Sequence, residues 1–334
     1  MFERLEELHA IGGGPGANRL HGSPEEDAAH ELVAGWMREA GLDVEVDPDG
    51  NLVGRAAAAA EVWTGSHLDT VPQGGKFDGA LGVVSGLEAV ERAGVGTVVA
   101  FRGEEVGCVG SRARVARGPL PRAFVELHVE QGPVLEDAGA SLGAVTGIVG
   151  YARGELIFEG RAGHAGTTPM DIRDDALLKA GQAVMHIAEV ARAIPGAVAT
   201  VGRMEVEPGG VNVIPSRVRL SVDARAPDRE RLDRLLTEIG LEAGAGVEPV
   251  ELSPRCRAAL ETEMEARRLP VLELASGAGH DAGVLAAAGV EAGMLFVRSL
   301  NGGISHSPDE LSSEEDIALG IDVLAAAVGR LALL

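Results

Sequence analysis

Hydrophobic and polar positions alternate with a period that changes along the chain, and each change marks an element. Residues 24–40 carry Leu32, Val33, Trp36 and Met37 on one helical face, behind Pro24 and the acids Glu25, Glu26 and Asp27, and Gly41 ends the run. Leu42–Val46 alternates as a strand, and a Pro48-Asp49-Gly50-Asn51 turn leads into Leu52-Val53. The Ala56–Ala60 run reads as a hairpin connection, after which Val62–Ser66 runs into His67. Residues 80–93 form an apolar, glycine-dotted helix, and 96–101 is a wholly apolar strand of the buried parallel type. Strand, helix, strand with polar residues at the strand ends is the α/β pattern.

From about residue 151 the texture changes. Strands are expected over 152–159, 198–206, 213–224 and 247–252, with helices opening at Asp174-Asp175 and spanning 229–241. That β-α-β-β-α-β order is the plan of a small two-layer, ferredoxin-like domain. After Pro254 come a helix (256–268), a strand (272–274), a glycine-rich loop at 276–280, a helix, a strand (292–297) and a last helix from Ser313. The expected architecture is an α/β domain with a mixed sheet and helices on both faces, from residues 1–149 and 254–334. An α+β domain, 150–253, is inserted into it.

Composition narrows the field. The 334 residues are 46% hydrophobic but only 3% aromatic, and no run approaches the ~18 apolar residues of a membrane span. The net charge of −22 repels phosphate backbones and anionic lipid, which sets aside nucleic acid and membrane as partners. Two cysteines, Cys108 and Cys256, form no CxxC, and the acidic amphipathic start is unlike a signal peptide, so a reducing cytoplasm is expected.

The candidate chemistry sits at strand ends. In His67-Leu68-Asp69 the strand period puts imidazole and acid on one face, so Asp69 can fix the tautomer of a ligating His67. Asp78 follows a Gln73-Gly74-Gly75 turn. Glu104-Glu105 follows a buried strand, and adjacent acids point to different sides, so one can ligate a metal while the other stays a base. His128 and His306 lie at or beyond further strand ends, and His164 and His280 sit in glycine-rich turns. His9, His21, His30 and His186 read as solvated or packed, and Cys108 as packed. With HExxH absent, any ligands must converge from separate strands, where open α/β sheets place their sites.

Eight segments in order then bring a family into view: Gly65–Val71, Phe77–Val83, Glu104-Glu105, Glu126–Glu136, Gly163–Met170, Asn212–Pro215, Ser276–Ala282 and Ser305–Pro308. From about residue 16 onward the chain resembles the M20 metallopeptidases, in the branch of N-carbamoyl-L-amino-acid hydrolases, allantoate amidohydrolases and β-ureidopropionases. The resemblance implies two divalent ions (Zn, Mn, Co or Ni), one on His67, Asp78 and His128 and the other on Asp78, Glu105 and His306, with Asp78 bridging and often followed by a cis peptide. It makes Glu104 the general base. His164 becomes the oxyanion group, reaching from the partner of a homodimer formed through the inserted lid domain. Asn212 and Arg225 would hold a substrate carboxylate, and Gln131 and His280 would contact substrate. The implied reaction is hydrolysis of a terminal ureido C–N bond in a small carboxylate-bearing substrate, first an N-carbamoyl-L-amino acid and second allantoate. A dipeptidase or N-acyl amino acid deacylase, and a non-catalytic homologue, are the rivals. The chain departs from the family in two short connections, after Glu105 and before Glu126, which bear on the pocket wall.

Overall fold

A computed structural model describes residues 1–242 and 244–333, without the side chains of Ala59 and Ala60. The chain divides into two compact units, one of Met1–Ile148 with Glu251–Leu334 and one of Val149–Val250.

The first unit is built on a large mixed sheet. Its strands lie in the order Asp43–Val46, Leu52–Arg55, Val95–Phe101, Ala58–His67, Ala123–Val129, Glu291–Val297 and Leu142–Ile148, with Glu273–Ser276 also beside the last. The four central strands are parallel, and the antiparallel pairs lie toward the edges. The Ala56–Ala60 run is therefore not a hairpin connection, because Val95–Phe101 lies between the two strands that it joins.

Strand alternation builds a core on each face. Val98, Ala100, Val125, Leu127, Leu295 and Val297 pack with the helices Pro24–Glu39, Ala80–Ala93, Pro254–Ala266 and Glu314–Ala332. Their neighbours Val99, Phe101, Phe124, Met294 and Phe296 turn the other way, toward Ala282 and Leu285 of the helix Asp281–Ala287. Local signals set the helix ends. Ser23 Oγ accepts from Glu26 N at 3.2 Å ahead of Pro24, Ser313 caps the last helix in the same way, and Gly94 closes Ala80–Ala93 in a left-handed conformation.

The Val149–Val250 unit holds an antiparallel sheet in the order Ala245–Val247, Gly150–Glu159, Arg217–Ala226, Val198–Glu207, with helices Ala176–Ala193 and Arg229–Ile239. Two expected strands are divided. Pro215, which has no N–H to give a ladder, separates Val213–Ile214 from Arg217–Ala226, and the short piece pairs instead with Gly163–His164. Glu248-Pro249 divides 247–252 in the same way. No helix among the described residues is long and apolar enough to cross a membrane.

Candidate metal centre

Parallel strands deliver their C-terminal ends to one edge of the sheet, and the candidate ligands come from there. His67 ends its strand in register with Phe101, three residues before Glu104, and His128 lies in register with Phe296. Asp78 stands just before the helix Ala80–Ala93. Between them Gly79, at φ 65°, leaves space that a Cβ would take from the His67 ring. The peptide that follows Asp78 is trans, since the cis bonds among the described residues are Gly118-Pro119 and Glu207-Pro208. The positive φ of Gly79 makes the sharp reversal there.

The two oxygens of Asp78 face different groups. Oδ1 is 3.2 Å from His128 Nε2 and 3.5 Å from His67 Nε2, while Oδ2 is 3.3 Å from His306 Nε2, which is itself 3.4 Å from Glu105 Oε2. Two triads result, His67–Asp78–His128 and Asp78–Glu105–His306, each with its donor atoms within 4.8 Å of one another. The imidazoles are turned from behind. His67 Nδ1 lies 3.0 Å from the Asp69 carbonyl oxygen, and His128 Nδ1 lies 2.9 Å from the Val129 carbonyl oxygen. Those carbonyls select the Nδ1–H tautomer and leave Nε2 as a bare acceptor aimed at a carboxylate.

An acceptor facing an acceptor is repulsive unless a cation lies between them. His128 Nε2 and Glu105 Oε1 are buried without a hydrogen-bond partner, as a site shaped for cations leaves them. The donor set, imidazole and carboxylate without thiolate, suits Zn, Mn, Co or Ni. With no cation, protons take that place. Burial lowers the His128 imidazole, but Asp78 outweighs it and lifts His128 to about 9, and Asp78 does the same for His306. Burial pushes Asp78 up, yet the three imidazoles hold it well below the usual carboxylate range.

Glu104 lies outside both triads, with Oε2 3.8 Å from His67 Nε2. Burial holds it well above the usual carboxylate range, although His67 pulls it down. Asp69 does more than orient His67. Its two oxygens accept from Glu104 N and Glu105 N, both at 3.1 Å, so one acid fixes a ligand and the backbone of the acid pair together. Cys108 is packed, as expected, with its thiol 3.8 Å from Glu104 Oε1.

Gln131 and His280 both stand against the candidate ligands. Gln131 donates from Nε2 to Asp78 Oδ2 at 3.0 Å and to Ser305 Oγ at 3.2 Å. His280 is sealed in, with Nε2 2.9 Å from Ser276 Oγ and its ring edge-on to His128 at 4.6 Å. Glu126, His128 and His280 also cluster within ligand range. Glu126, however, already accepts from Ser66 Oγ at 2.6 Å and Ala282 N at 3.0 Å, and His128 Nε2 is turned to Asp78.

Sequence reasoning missed two carboxylates. Glu310 accepts from Phe77 N at 2.7 Å, Asp78 N at 3.1 Å and Ser305 Oγ at 3.1 Å, tying the turn of Asp78 to the loop of His306. Burial lifts it to about 7. Nothing in Ser307-Pro308-Asp309-Glu310 separates it from an ordinary turn acid. Glu126 was legible, since strand alternation puts it on the face of His128 two residues on.

His164, Asn212 and Arg225 belong to the Val149–Val250 unit. His164 pairs with Val213 and is exposed, and its Nδ1 accepts from Gly166 N at 3.0 Å. Asn212 lies beside it, its carbonyl accepting from Ala165 N at 3.0 Å. Arg225 lies eight residues along its strand from Arg217, about 26 Å away at 3.3 Å per residue, near Tyr151 and bonded to Asp223 at 2.8 Å.

Comparison with known proteins agrees with this geometry. The sequence pattern of peptidase family M20/M25/M40 matches residues 63–330. An N-carbamoyl-L-amino acid amidohydrolase of Geobacillus stearothermophilus is 39% identical, covering 99% of this chain and 98% of its own. That alignment runs over 402 positions against 334 residues here, so the relative carries internal segments that this chain lacks. A ureidoglycolate hydrolase of Oryza sativa subsp. japonica is 31% identical, over 96% and 81% of the two chains. Among solved structures, an amidase of the hydantoinase/carbamoylase family from Burkholderia phymatum superposes with a TM-score of 0.89 at 31% identity, over 99% and 96%.

Proposed function

The chain belongs to peptidase family M20/M25/M40, and we propose that it is a metal-dependent amidohydrolase acting on the terminal ureido C–N bond of an N-carbamoyl-L-amino acid. The observation that carries the reading is the shared carboxylate of Asp78, one oxygen toward each triad, with Glu104 beside them and outside both. His67, Asp78 and His128 would hold one divalent cation, and Asp78, Glu105 and His306 a second. Bound there, such ions polarise a carbonyl oxygen and bring the pKa of water from 15.7 to about 7.

The chain's own groups do the rest. Glu104 takes the proton of the attacking water as the new C–O bond forms, then delivers it to the terminal nitrogen as the C–N bond breaks. Ammonia leaves, and the remaining carbamate loses carbon dioxide to give the free amino acid. Asp69 holds His67 and the Glu104-Glu105 backbone still, so the base does not drift relative to the ligands. Glu310 does the same for Asp78.

In this reading the Val149–Val250 unit is a lid and dimerisation domain, from which Arg225 binds the substrate carboxylate while Asn212 and His164 meet its polar groups and the oxyanion. The place of Arg225, at the end of its strand opposite the turn that leads to Asn212 and His164, supports contributions from two copies.

The test is ammonia release after reconstitution with Zn, Mn, Co or Ni, on N-carbamoyl-L-methionine, allantoate and a dipeptide. Ammonia is expected from the first and, given a 30% identical probable allantoate deiminase of Oryza sativa subsp. japonica, more slowly from the second. Amino acid release from the dipeptide, with no ammonia from either ureido compound, would replace this reading by a peptidase.

A further inference from the structure

The helix Pro24–Glu39 buries Ala29, Val33 and Met37 in the core. A second stripe of the same helix, at positions 27, 30, 31, 34 and 38, lines a cavity of about 250 Å³ that Val46 and Arg102 complete. Its volume lies below the roughly 300–1,000 Å³ of pockets for drug-sized ligands, so a smaller molecule fits.

The lining is unusual in one respect. His30 is only 5% exposed, and neither ring nitrogen has a hydrogen-bond partner. Burial drives its imidazole down to about 3, so it is neutral, with one donor and one acceptor nitrogen both unsatisfied. Around it stand charges of both signs. Arg102 Nη1 is bonded to Asp27 at 2.6 Å and lies 3.3 Å from Glu26. Glu31 and Arg38 form no ion pair among the described residues. The cavity thus offers one uncommitted acid, one uncommitted base, a neutral imidazole able to give and accept, and an apolar wall of Ala34 and Val46.

We infer that this cavity binds a free α-amino acid, its ammonium toward Glu31, its carboxylate toward Arg38 and its side chain along Ala34 and Val46. A ureido acid does not suit it, because the carbamoylated nitrogen is neutral and has no ammonium to offer. The cavity therefore reads product and ignores substrate, a link that rests on the reaction proposed above. It also touches the machinery. The Arg102 N–H donates to Asn51 Oδ1 and its carbonyl accepts from Gly110 N, and Glu104 follows two residues on. An occupant that disturbs the Arg102–Asp27 pair acts on the segment bearing the base.

Calorimetric titration of L-methionine into the metal-loaded Glu104→Gln protein tests this. A binding event is expected that Arg38→Glu weakens at least ~10-fold and that L-methioninamide and N-acetyl-L-methionine do not give. Arg38 is exposed, so its reversal leaves the fold intact, and His30→Phe, which fills the cavity, should abolish the same event. In the active enzyme, Arg38→Glu should remove inhibition by L-methionine that added substrate does not relieve, with kcat and KM otherwise unchanged. Binding insensitive to Arg38→Glu overturns the inference while the ammonia assay still stands. An Arg38-sensitive event in a protein that releases no ammonia keeps the cavity and discards the product link.

Discussion

In the sheet unit, His67, Asp78 and His128 are 1–3% exposed, His67 and His128 each turned by a nearby backbone carbonyl and Asp78 held through its N–H by Glu310. In the Val149–Val250 unit, His164 and Asn212 are exposed, and Arg225 is half-buried and bonded to its own strand neighbour Asp223. The two sets face opposite physical problems. Burying imidazoles and carboxylates costs several kcal/mol per ionised group unless charge of the other sign joins them, so the first set is suited to hold cations. Groups in water carry no such cost and stay adjustable, which suits residues that act only when brought against a substrate. Metal retention and substrate recognition should therefore fail separately.

Four experiments break or sharpen that division. The largest effect is expected from Asp78→Asn, which removes charge from both triads at once. Metal content should fall for both sites, and kcat/KM should drop at least ~10³-fold, the several kcal/mol that metal polarisation supplies. Two ions retained by elemental analysis would mean that the triads are not joined through Asp78. Next is Glu104→Gln, with full metal content and kcat reduced by about 10²–10⁴; near-normal turnover would remove Glu104 from proton transfer. Arg225→Ala should leave metal content untouched and cost about 10–100-fold in kcat/KM on a carboxylate substrate but little on its amide, the scale of one charged hydrogen-bonding group. Equal losses on both would end its role as the carboxylate clamp.

The smallest effect is in stability. In the metal-free protein His128 and His306 titrate near 9 when folded against an ordinary value of 6.5. The folded state binds more protons between those values, so their stabilisation is full below about 6.5 and is lost as pH rises through about 9. The melting temperature of the metal-free protein should fall across that window, and metal should flatten the slope because cations displace the same protons. A metal-free protein that melts uniformly from pH 6.5 to 9 would place the imidazoles in solvent.

Much of this was legible one residue at a time. The pattern gives the helix 80–93 to the residue, because Asp78-Gly79 and Gly94 are local stop signals and the apolar period between them is unbroken. The strand 96–101 is legible from its apolar run. Alternation over Val213–Ala224 passes through Pro215 and predicts one continuous strand, and only pairing shows the short piece turning to Gly163–His164. The pairing of His67 with Asp69 follows from a period of two, yet that Asp69 also holds Glu104 and Glu105, 35 and 36 positions away, does not.

The sequence by itself determined which residue types stand at which strand ends, the sign of the surface charge and the class of ion the site can hold, since these follow from side-chain chemistry and local period. The tertiary structure alone decided which oxygen of Asp78 faces which imidazole, that Glu310 and Glu126 are buried partners and not solvated acids, and that Gln131 and His280 stand against ligands. It also decided that Arg225 pairs with Tyr151, at the end of its strand opposite the turn that leads back to Asn212. Those facts depend on strand order and on long-range contacts, and no local period in the chain encodes how far apart two strand ends will come to rest.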